Sequence, residues 1–205
     1  LHLYPNNGSK IFGNAPIGHG MAFVHSRDEV KRKYQNIFAQ YNGRRETEKY
    51  GAGLPCLSSV NLQELHLDFL NNYFKTYSEP CMSVMPSECN LCNKKLDVTS
   101  PSSGSMSNYV WNYVDQLSQA IKQTHPEKHI SCLAYATFLA PPNSIDKFNE
   151  NVRVGICYPI NGQRDEAELN KFSLLLDQWH KKLTYDSILI YDYFLYSDPK
   201  RNKNG

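Results

Sequence analysis

The strongest constraint on the fold is a series of short apolar runs of strand length, separated by longer amphipathic segments. The runs are HGMAFVH (19–25), LPCLSS (54–59), CMSVMP (81–86), ISCLAYATFL (130–139), VRVGICYPI (152–160) and SILIYDYFLY (187–196). Near-continuous apolar runs are typical of strands that are buried on both faces, as in parallel sheets. The pattern therefore predicts six parallel strands.

Three segments between these runs have helical periodicity. They are 58–77, 104–125 and 164–183. Ser58 or Ser59 is the predicted N-cap of the first, since a serine hydroxyl can accept a backbone N–H there. The third has acidic residues in its first turn and Lys181 and Lys182 in its last, as the helix dipole favours. The segment 140–151 is rich in proline and asparagine and is predicted to be a loop.

Alternating strands and helices indicate an α/β fold with right-handed crossovers. An open doubly wound sheet and a closed (β/α)₈ barrel both fit the pattern. Six strands in 205 residues would make about three quarters of a barrel, which typically needs about 250 residues. A Gly-x-Gly-x-x-Gly stretch after a strand and a phosphate-binding loop are both missing from the sequence, which disfavours nucleotide binding.

Charge and hydropathy exclude two classes of partner. The net charge is +2, so there is no broad basic field of the kind that drives nucleic-acid binding. No run approaches the roughly 18 apolar residues of a membrane span. No signal peptide is visible in this sequence, and we expect a periplasmic or extracellular location if the parent protein is secreted. We expect no cofactor.

Functional groups in a parallel α/β fold lie at the carboxyl ends of the strands. The strand ends predicted here carry two carboxylates, Glu88 and Asp192. Beside them we expect substrate-binding residues, which are His19, His25, Tyr135, Tyr158, Asn161, Tyr191 and Tyr193. Aromatic rings stack on the C–H faces of sugars, and hydrolysis of a glycosidic bond needs two carboxyl groups about 5–9.5 Å apart. This pattern predicts a carbohydrate substrate, with Glu88 and Asp192 as the catalytic pair. The competing interpretation is that a carboxylate at a strand end is a helix cap or a loop hydrogen-bonding group.

The Cys89-x-x-Cys92 pair is half of a metal motif, because a structural zinc site needs four ligands. The other candidate ligands are distant in sequence, namely Cys56, Cys81, Cys132 and His66. A role in stapling the loop is favoured over metal binding, and metal binding over redox catalysis, because the pair is followed by loop sequence rather than a helix.

A series of motifs resembles those of a bacterial family long filed as domain of unknown function 4838. The matching segments are YQNIFAQYNGRR (34–45), LPCLSS, SVMPSECNLC (83–92), SGSMSNYVWNYVDQLSQAI (103–121), PEKHISCLAYATFLAPP (126–142), NVRVGICYP (151–159) and WHKKLTYDSILIYDY (179–193). They occur in the family's order and cover about residues 17–197. We therefore divide the chain into an N-terminal segment (1–16), a barrel portion (17–197) and a polar tail (198–205).

The resemblance implies part of a (β/α)₈ TIM barrel, related to hexosaminidase and α-glucuronidase barrels. Some members of the family are glycoside hydrolases of family 163, which act on N-glycans containing N-acetylglucosamine. LPCLSS and CMSVMP would be about the third and fourth strands, and related hydrolases commonly place their acid after the fourth, where Glu88 lies.

The alternative is a carbohydrate-binding barrel without catalysis. It is favoured by the short MPSEC loop (85–89), which lacks the Asp-Gly that members often carry. A metal-dependent α/β protein is a weaker alternative.

Overall fold

The computed structural model describes residues 18, 20–41, 43–48, 53–86, 106–157 and 166–191. Its helices are α1 (Ala22–His25), α2 (Asp28–Lys33), α3 (Val60–Thr76), α4 (Met106–Thr124) and α5 (Glu166–His180). Its strands are β1 (Gln40–Tyr41), β2 (Arg44–Arg45), β3 (Cys81–Ser83), β4 (His129–Ala134), β5 (Val152–Cys157) and β6 (Ile188–Tyr191). Short 3₁₀ helices span Gln35–Ile37, Ala136–Phe138 and Tyr185–Ser187.

Among the described residues, the main sheet is parallel and has four strands in the order β3-β4-β5-β6. Strands that follow one another in the chain are therefore neighbours in space. A doubly wound sheet reverses its strand order at a switch point, and these four strands do not. The predicted α/β class with parallel strands is confirmed, and the order is compatible with part of a TIM-barrel-like fold.

Helix packing follows the same repeat. Gln63 on α3 donates to Gln116 on α4 at 2.7 Å, and eight residues further along both helices Thr124 donates to Asn71 at 2.9 Å. Helices α3 and α4 are therefore parallel, as successive helices of a βα repeat are. The rings of Trp111 on α4 and Trp179 on α5 pack edge to face, with their centroids 4.8 Å apart. The helices that follow β3 and β5 thus lie on the same side of the sheet, as right-handed crossovers in a sequential sheet require.

Strand register divides the sheet into two unlike faces, because successive side chains alternate between them. One face is entirely apolar and is formed by Met82, Ile130, Cys132, Ala134, Val152, Val154 and Ile156. The other carries small, polar and aromatic residues, including Ser83, Ser131, Arg153, Gly155, Cys157 and Tyr191. The mixed face is where polar chemistry can sit without disrupting the core.

The prediction of a strand over 19–25 is wrong, because Ala22–His25 is the helix α1. A short apolar run can be a buried helix as well as a strand, and here Met21 and Val24 are both fully buried at helical spacing. Gly20 lies just before α1 and presses on the end of β3. A Cβ at Gly20 would lie 2.1 Å from the carbonyl oxygen of Ser83.

The prediction of a sheet strand over 54–59 is also wrong. Pro55 forms an isolated antiparallel bridge with Phe38, flanked by the bonds Ala39 N–H to Leu54 O and Cys56 N–H to Ile37 O. Proline has no N–H to donate to a central ladder, so this run suits an isolated pairing better than a buried strand.

The other predicted elements are present, whereas α2, β1 and β2 lie in a stretch that was not predicted to contain helix or strand. The Ser59 hydroxyl accepts the N–H of Leu62 at 3.4 Å and caps α3. The other two predicted helices are α4 and α5, and residues 140–151 contain no helix. The run at 130–139 is a strand only as far as Ala134, and its end forms the 3₁₀ turn Ala136–Phe138.

Candidate functional site

The carboxyl ends of β4, β5 and β6 bring two of the predicted tyrosines to one edge of the sheet. Ala134 pairs with Ile156, and Cys157, one residue on, pairs with Tyr191. Tyr135 follows Ala134 and keeps an extended backbone, with φ −148° and ψ 145°. Tyr135, Cys157 and Tyr191 therefore form one row on the mixed face of the sheet. Both tyrosines are partly exposed, and Cys157 between them is buried.

The residue after Tyr135 has an unusual backbone. Ala136 has φ +45°, the single non-glycine residue with positive φ in the described part of the chain. A side chain in this left-handed region is strained, and it persists only where the surrounding structure holds it in place. Such residues cluster at functional sites. Ala136 and Thr137 are exposed, whereas Phe138 beyond them is buried. The turn thus projects from the sheet edge and is anchored at its far end.

Three side chains from two helices bind three consecutive carbonyls beyond this turn. The indole Nε1–H of Trp111 donates to Phe138 O at 3.1 Å, and that of Trp179 donates to Leu139 O at 3.0 Å. The Ser107 hydroxyl donates to the carbonyl of residue 140 at 2.7 Å. Trp111 and Trp179 are fully buried, so their donors have no competing water. We refer to these two tryptophans as the indole clamp and to residues 135–144 as the post-β4 segment.

Asn108 holds the other end of the post-β4 segment. Its Oδ1 accepts the N–H of Asn143 at 2.8 Å, the N–H of Ser144 at 3.2 Å and the Ser144 hydroxyl at 3.3 Å. Asn108 is buried on α4, one turn from the indole clamp's Trp111. The side chains of α4 and α5 therefore fix this segment along most of its length.

The end of β3 is covered by the chain that precedes α1. The Ser83 hydroxyl donates to Gly18 O at 2.6 Å, and Val84 and Met85 beyond it are buried. The close approach of Gly20 to the same serine brings the two glycines over the strand end. The segment between them contains His19, which lies outside the described residues.

His25 was predicted to bind substrate, and the structure places it inside the molecule. It is fully buried on α1, and its Nδ1 lies 3.3 Å from Nε2 of His66 on α3. The other ring nitrogen of His66, Nδ1, lies 2.5 Å from the hydroxyl of Tyr113 on α4. Since the run at 19–25 is not a strand, His25 is not at a strand end, and its binding role stays a prediction without that support.

Burial keeps both histidines neutral at physiological pH. Desolvation, followed by the charge of Lys31, lowers the pKa of His25 to about 4, although a hydrogen bond to the Met21 carbonyl acts in the opposite direction. Desolvation, followed by the charge of His25, lowers the pKa of His66 well below its usual value. Together with Tyr113, the two histidines connect α1, α3 and α4. They form an internal polar chain rather than part of the sheet edge.

Six of the predicted site residues lie outside the described residues, namely Glu88, Asp192, His19, Tyr158, Asn161 and Tyr193. The two candidate carboxylates have informative places in the chain. Asp192 directly follows Tyr191, the last residue of β6, and Glu88 follows shortly after β3.

The described cysteines do not assemble a metal centre. Within the described ranges no group of three or more His, Cys, Asp or Glu side chains could hold an ion. Burial raises the pKa of Cys81 to about 12 and raises that of Cys132 as well, so both thiols are neutral at physiological pH. Cys89 and Cys92 lie outside the described residues, and the roles suggested for them stay predictions.

The sequence interpretation missed Ala136 and the indole clamp. An alanine carries no signal for a positive φ. A tryptophan on the apolar face of a helix is normally a core residue, and both have that role too. The one feature of the two tryptophans that could have indicated a bound carbonyl is the indole N–H, which needs a hydrogen-bond partner when it is buried.

The fold and this edge together define an α/β protein with a sequential parallel sheet and an aromatic, rigidly supported carboxyl edge. The chain belongs to the family described as domain of unknown function (DUF4838), whose model matches residues 6–197. This match confirms the family resemblance seen in the motifs. Comparisons with curated proteins and with solved structures found no match. Among the helices of the described ranges, none combines the length and the apolar character needed to cross a bilayer.

Proposed function

We propose that this chain is a glycan-acting domain that hydrolyses an O-glycosidic bond at the carboxyl edge of its sheet. The observation that carries the proposal is the row formed by Tyr135, Cys157 and Tyr191. It presents two partly exposed aromatic rings on the mixed face, at the edge where parallel α/β proteins place their sites. Aromatic rings are suited to the C–H faces of sugars.

The catalytic roles fall to the carboxylates that follow the outer strands of the sheet. Glu88, after β3, acts as the general acid in this proposal, and Asp192, after β6, is the second carboxylate. Tyr191, at the end of β6, would line the sugar subsite in this proposal. The substrate class that fits the family resemblance is a glycan containing an N-acetylhexosamine.

Substitution of the two carboxylates tests the proposal. We expect Glu88→Gln and Asp192→Asn each to lower the rate of sugar release about 100-fold or more, because general acid catalysis contributes about that much. The matched control is Asp177→Asn, on the exposed side of α5, which should leave the rate unchanged. Substrates would be N-glycans and plant and algal polysaccharides, with released reducing ends measured.

The same assay separates hydrolysis from the binding-only alternative. The short 85–89 loop without Asp-Gly is the feature that favours the alternative. Heat of glycan binding with no released product would support a binding module. Release of product that is unaffected by Glu88→Gln would overturn the assignment of the acid.

A further inference from the structure

We propose that Trp111 and Trp179 are positioning residues that preset Tyr135 as the aromatic platform for a sugar ring. The inference deepens the proposed function and rests on it for the identity of the ligand. It concerns residues of the helix layer that do not themselves reach the sheet edge.

Ala136 is held in a strained backbone conformation. A positive φ at an alanine is unfavourable, so a chain with freedom to relax would leave this conformation. Phe138, two residues further on, is held from outside the turn, because its side chain is buried and its carbonyl is bound. The strained turn is therefore bounded by β4 on one side and by the indole clamp on the other.

The indole clamp ties two helices to one short stretch of backbone. Its two donors come from different helices and bind adjacent carbonyls, those of Phe138 and Leu139. The two indole rings also pack against one another, with their centroids 4.8 Å apart. Both pack against the Phe148 ring, with centroid distances of 5.7 Å for Trp111 and 6.2 Å for Trp179. A shift of either indole would therefore disturb the other, and neither carbonyl can rotate without losing a buried hydrogen bond.

The indole clamp is connected to Tyr135 through Phe138. The ring of Tyr135 packs edge to face on the ring of Phe138, with their centroids 6.5 Å apart. The backbone carbonyl of Phe138 is the one that Trp111 binds, so the clamp fixes the residue against which Tyr135 rests. Trp179 lies on α5, which connects β5 to β6, so its bond to the Leu139 carbonyl ties the segment after Tyr135 to the helix that leads into β6.

The test uses variants that remove one donor and keep an aromatic ring, Trp111→Phe and Trp179→Phe. Hydrogen exchange should become about three- to tenfold faster in peptides from the post-β4 segment, as expected for loss of one neutral hydrogen bond. Peptides from β5 should be unchanged. Tyr77→Phe, which removes a hydroxyl at the end of α3, is the matched control. Faster exchange everywhere, or none in the segment, would overturn the clamp's positioning role.

Relief of the strain gives a second readout that simple packing would not produce. Glycine adopts φ +45° without penalty, so the clamp has less to hold in an Ala136→Gly background. The effect of Trp179→Phe on exchange should then be smaller than in the parent protein. An equal effect in both backgrounds would show that the clamp does not act on the strained turn.

Ligand binding is measured with the β-1,4-linked disaccharide of N-acetylglucosamine and with cellobiose, by ligand-observed NMR titration. We expect Tyr135→Ala and Trp179→Phe each to weaken binding by about three- to tenfold, and Tyr135→Phe to retain it. If Trp179→Phe speeds exchange but leaves the affinity for the disaccharide unchanged, the clamp does not preset Tyr135 for sugar binding. Failure of the parent protein to bind either disaccharide would count against the proposed ligand class, while the exchange results would still decide the positioning role.

Discussion

His25 and His66 lie 3.3 Å apart through Nδ1 and Nε2, and both side chains are buried between α1 and α3. Tyr113 on α4 extends the chain, with its hydroxyl 2.5 Å from His66 Nδ1. The Nε2 of His25 is buried and has no hydrogen-bond partner among the described residues. The positive charge of Lys31 on α2 also disfavours protonation of His25. Three helices thus meet at a pair of imidazoles that must stay neutral.

The first prediction is that the protein loses stability in mild acid. In the unfolded chain His25 has a pKa near 6.5, and folding lowers it to about 4. The unfolded state therefore binds more protons between these values, so the free energy of unfolding falls as pH decreases from about 6.5 and the contribution of His25 levels off near 4. The loss from His25 alone is about 3 kcal/mol at most. Urea unfolding measured from pH 7 to pH 4 checks this.

His25→Gln should reduce the loss between pH 6.5 and 4, because it removes one group that must be protonated. His180→Gln, at an exposed position on α5, is the control and should follow the parent protein. An identical pH profile for parent and His25→Gln would show that the buried pair is not the cause.

The second prediction concerns Gly20. Gly20→Ala would place a Cβ 2.1 Å from the backbone oxygen of Ser83, so either β3 or the start of α1 must move. We expect a loss of about 3 kcal/mol or more in unfolding free energy. Gly43→Ala is the control, because its φ is +79° with open space around it, and only the conformational penalty of about 1 kcal/mol should appear. Equal losses for the two variants, in thermal or chemical unfolding, would contradict the close contact.

The third prediction concerns the start of α3. Ser59→Ala removes the hydroxyl that accepts the Leu62 N–H, and should lower unfolding free energy by about 1 kcal/mol. Ser58→Ala is the neighbouring control and should cost less, because Ser58 is not the N-cap. Circular dichroism during urea unfolding distinguishes them, and a larger loss in Ser58→Ala would place the cap one residue earlier.

The fourth prediction concerns the post-β4 segment. Asn108→Ala leaves the N–H groups of Asn143 and Ser144 without their acceptor and should lower unfolding free energy by about 1–3 kcal/mol. Asn112→Ala, one turn further along α4, removes only an exposed bond to the Ser144 hydroxyl and should have little effect. Comparable midpoints of thermal unfolding for the two variants would argue against a structural role for Asn108.

Local sequence signals predicted most of the regular elements. The helical periodicity and the terminal charges of α5 predicted that helix, and a serine N-cap predicted the start of α3. Near-continuous apolar runs located β3, β4, β5 and β6. The same signal failed at 19–25 and 54–59, because a run of seven residues or fewer can be buried as a helix or an isolated bridge as well as a strand.

The candidate site was predictable only where it depends on strand ends. Tyr135 and Tyr191 were placed at the edge from the sequence because parallel strands share the direction of their carboxyl ends, and the register confirms that the two lie in one row. The substrate itself stays a prediction, as do the roles of Glu88 and Asp192.

The sequence by itself determined the family, the alternation of strands and helices and the tyrosines at the strand ends, because each is written in neighbouring residues. The tertiary structure alone decided the conformation of Ala136 and the support beneath Tyr135. The two indole donors that hold the post-β4 segment lie 27 residues before Phe138 and 40 residues after Leu139. No local pattern brings such partners together, because their meeting depends on how α4 and α5 pack on the same side of the sheet.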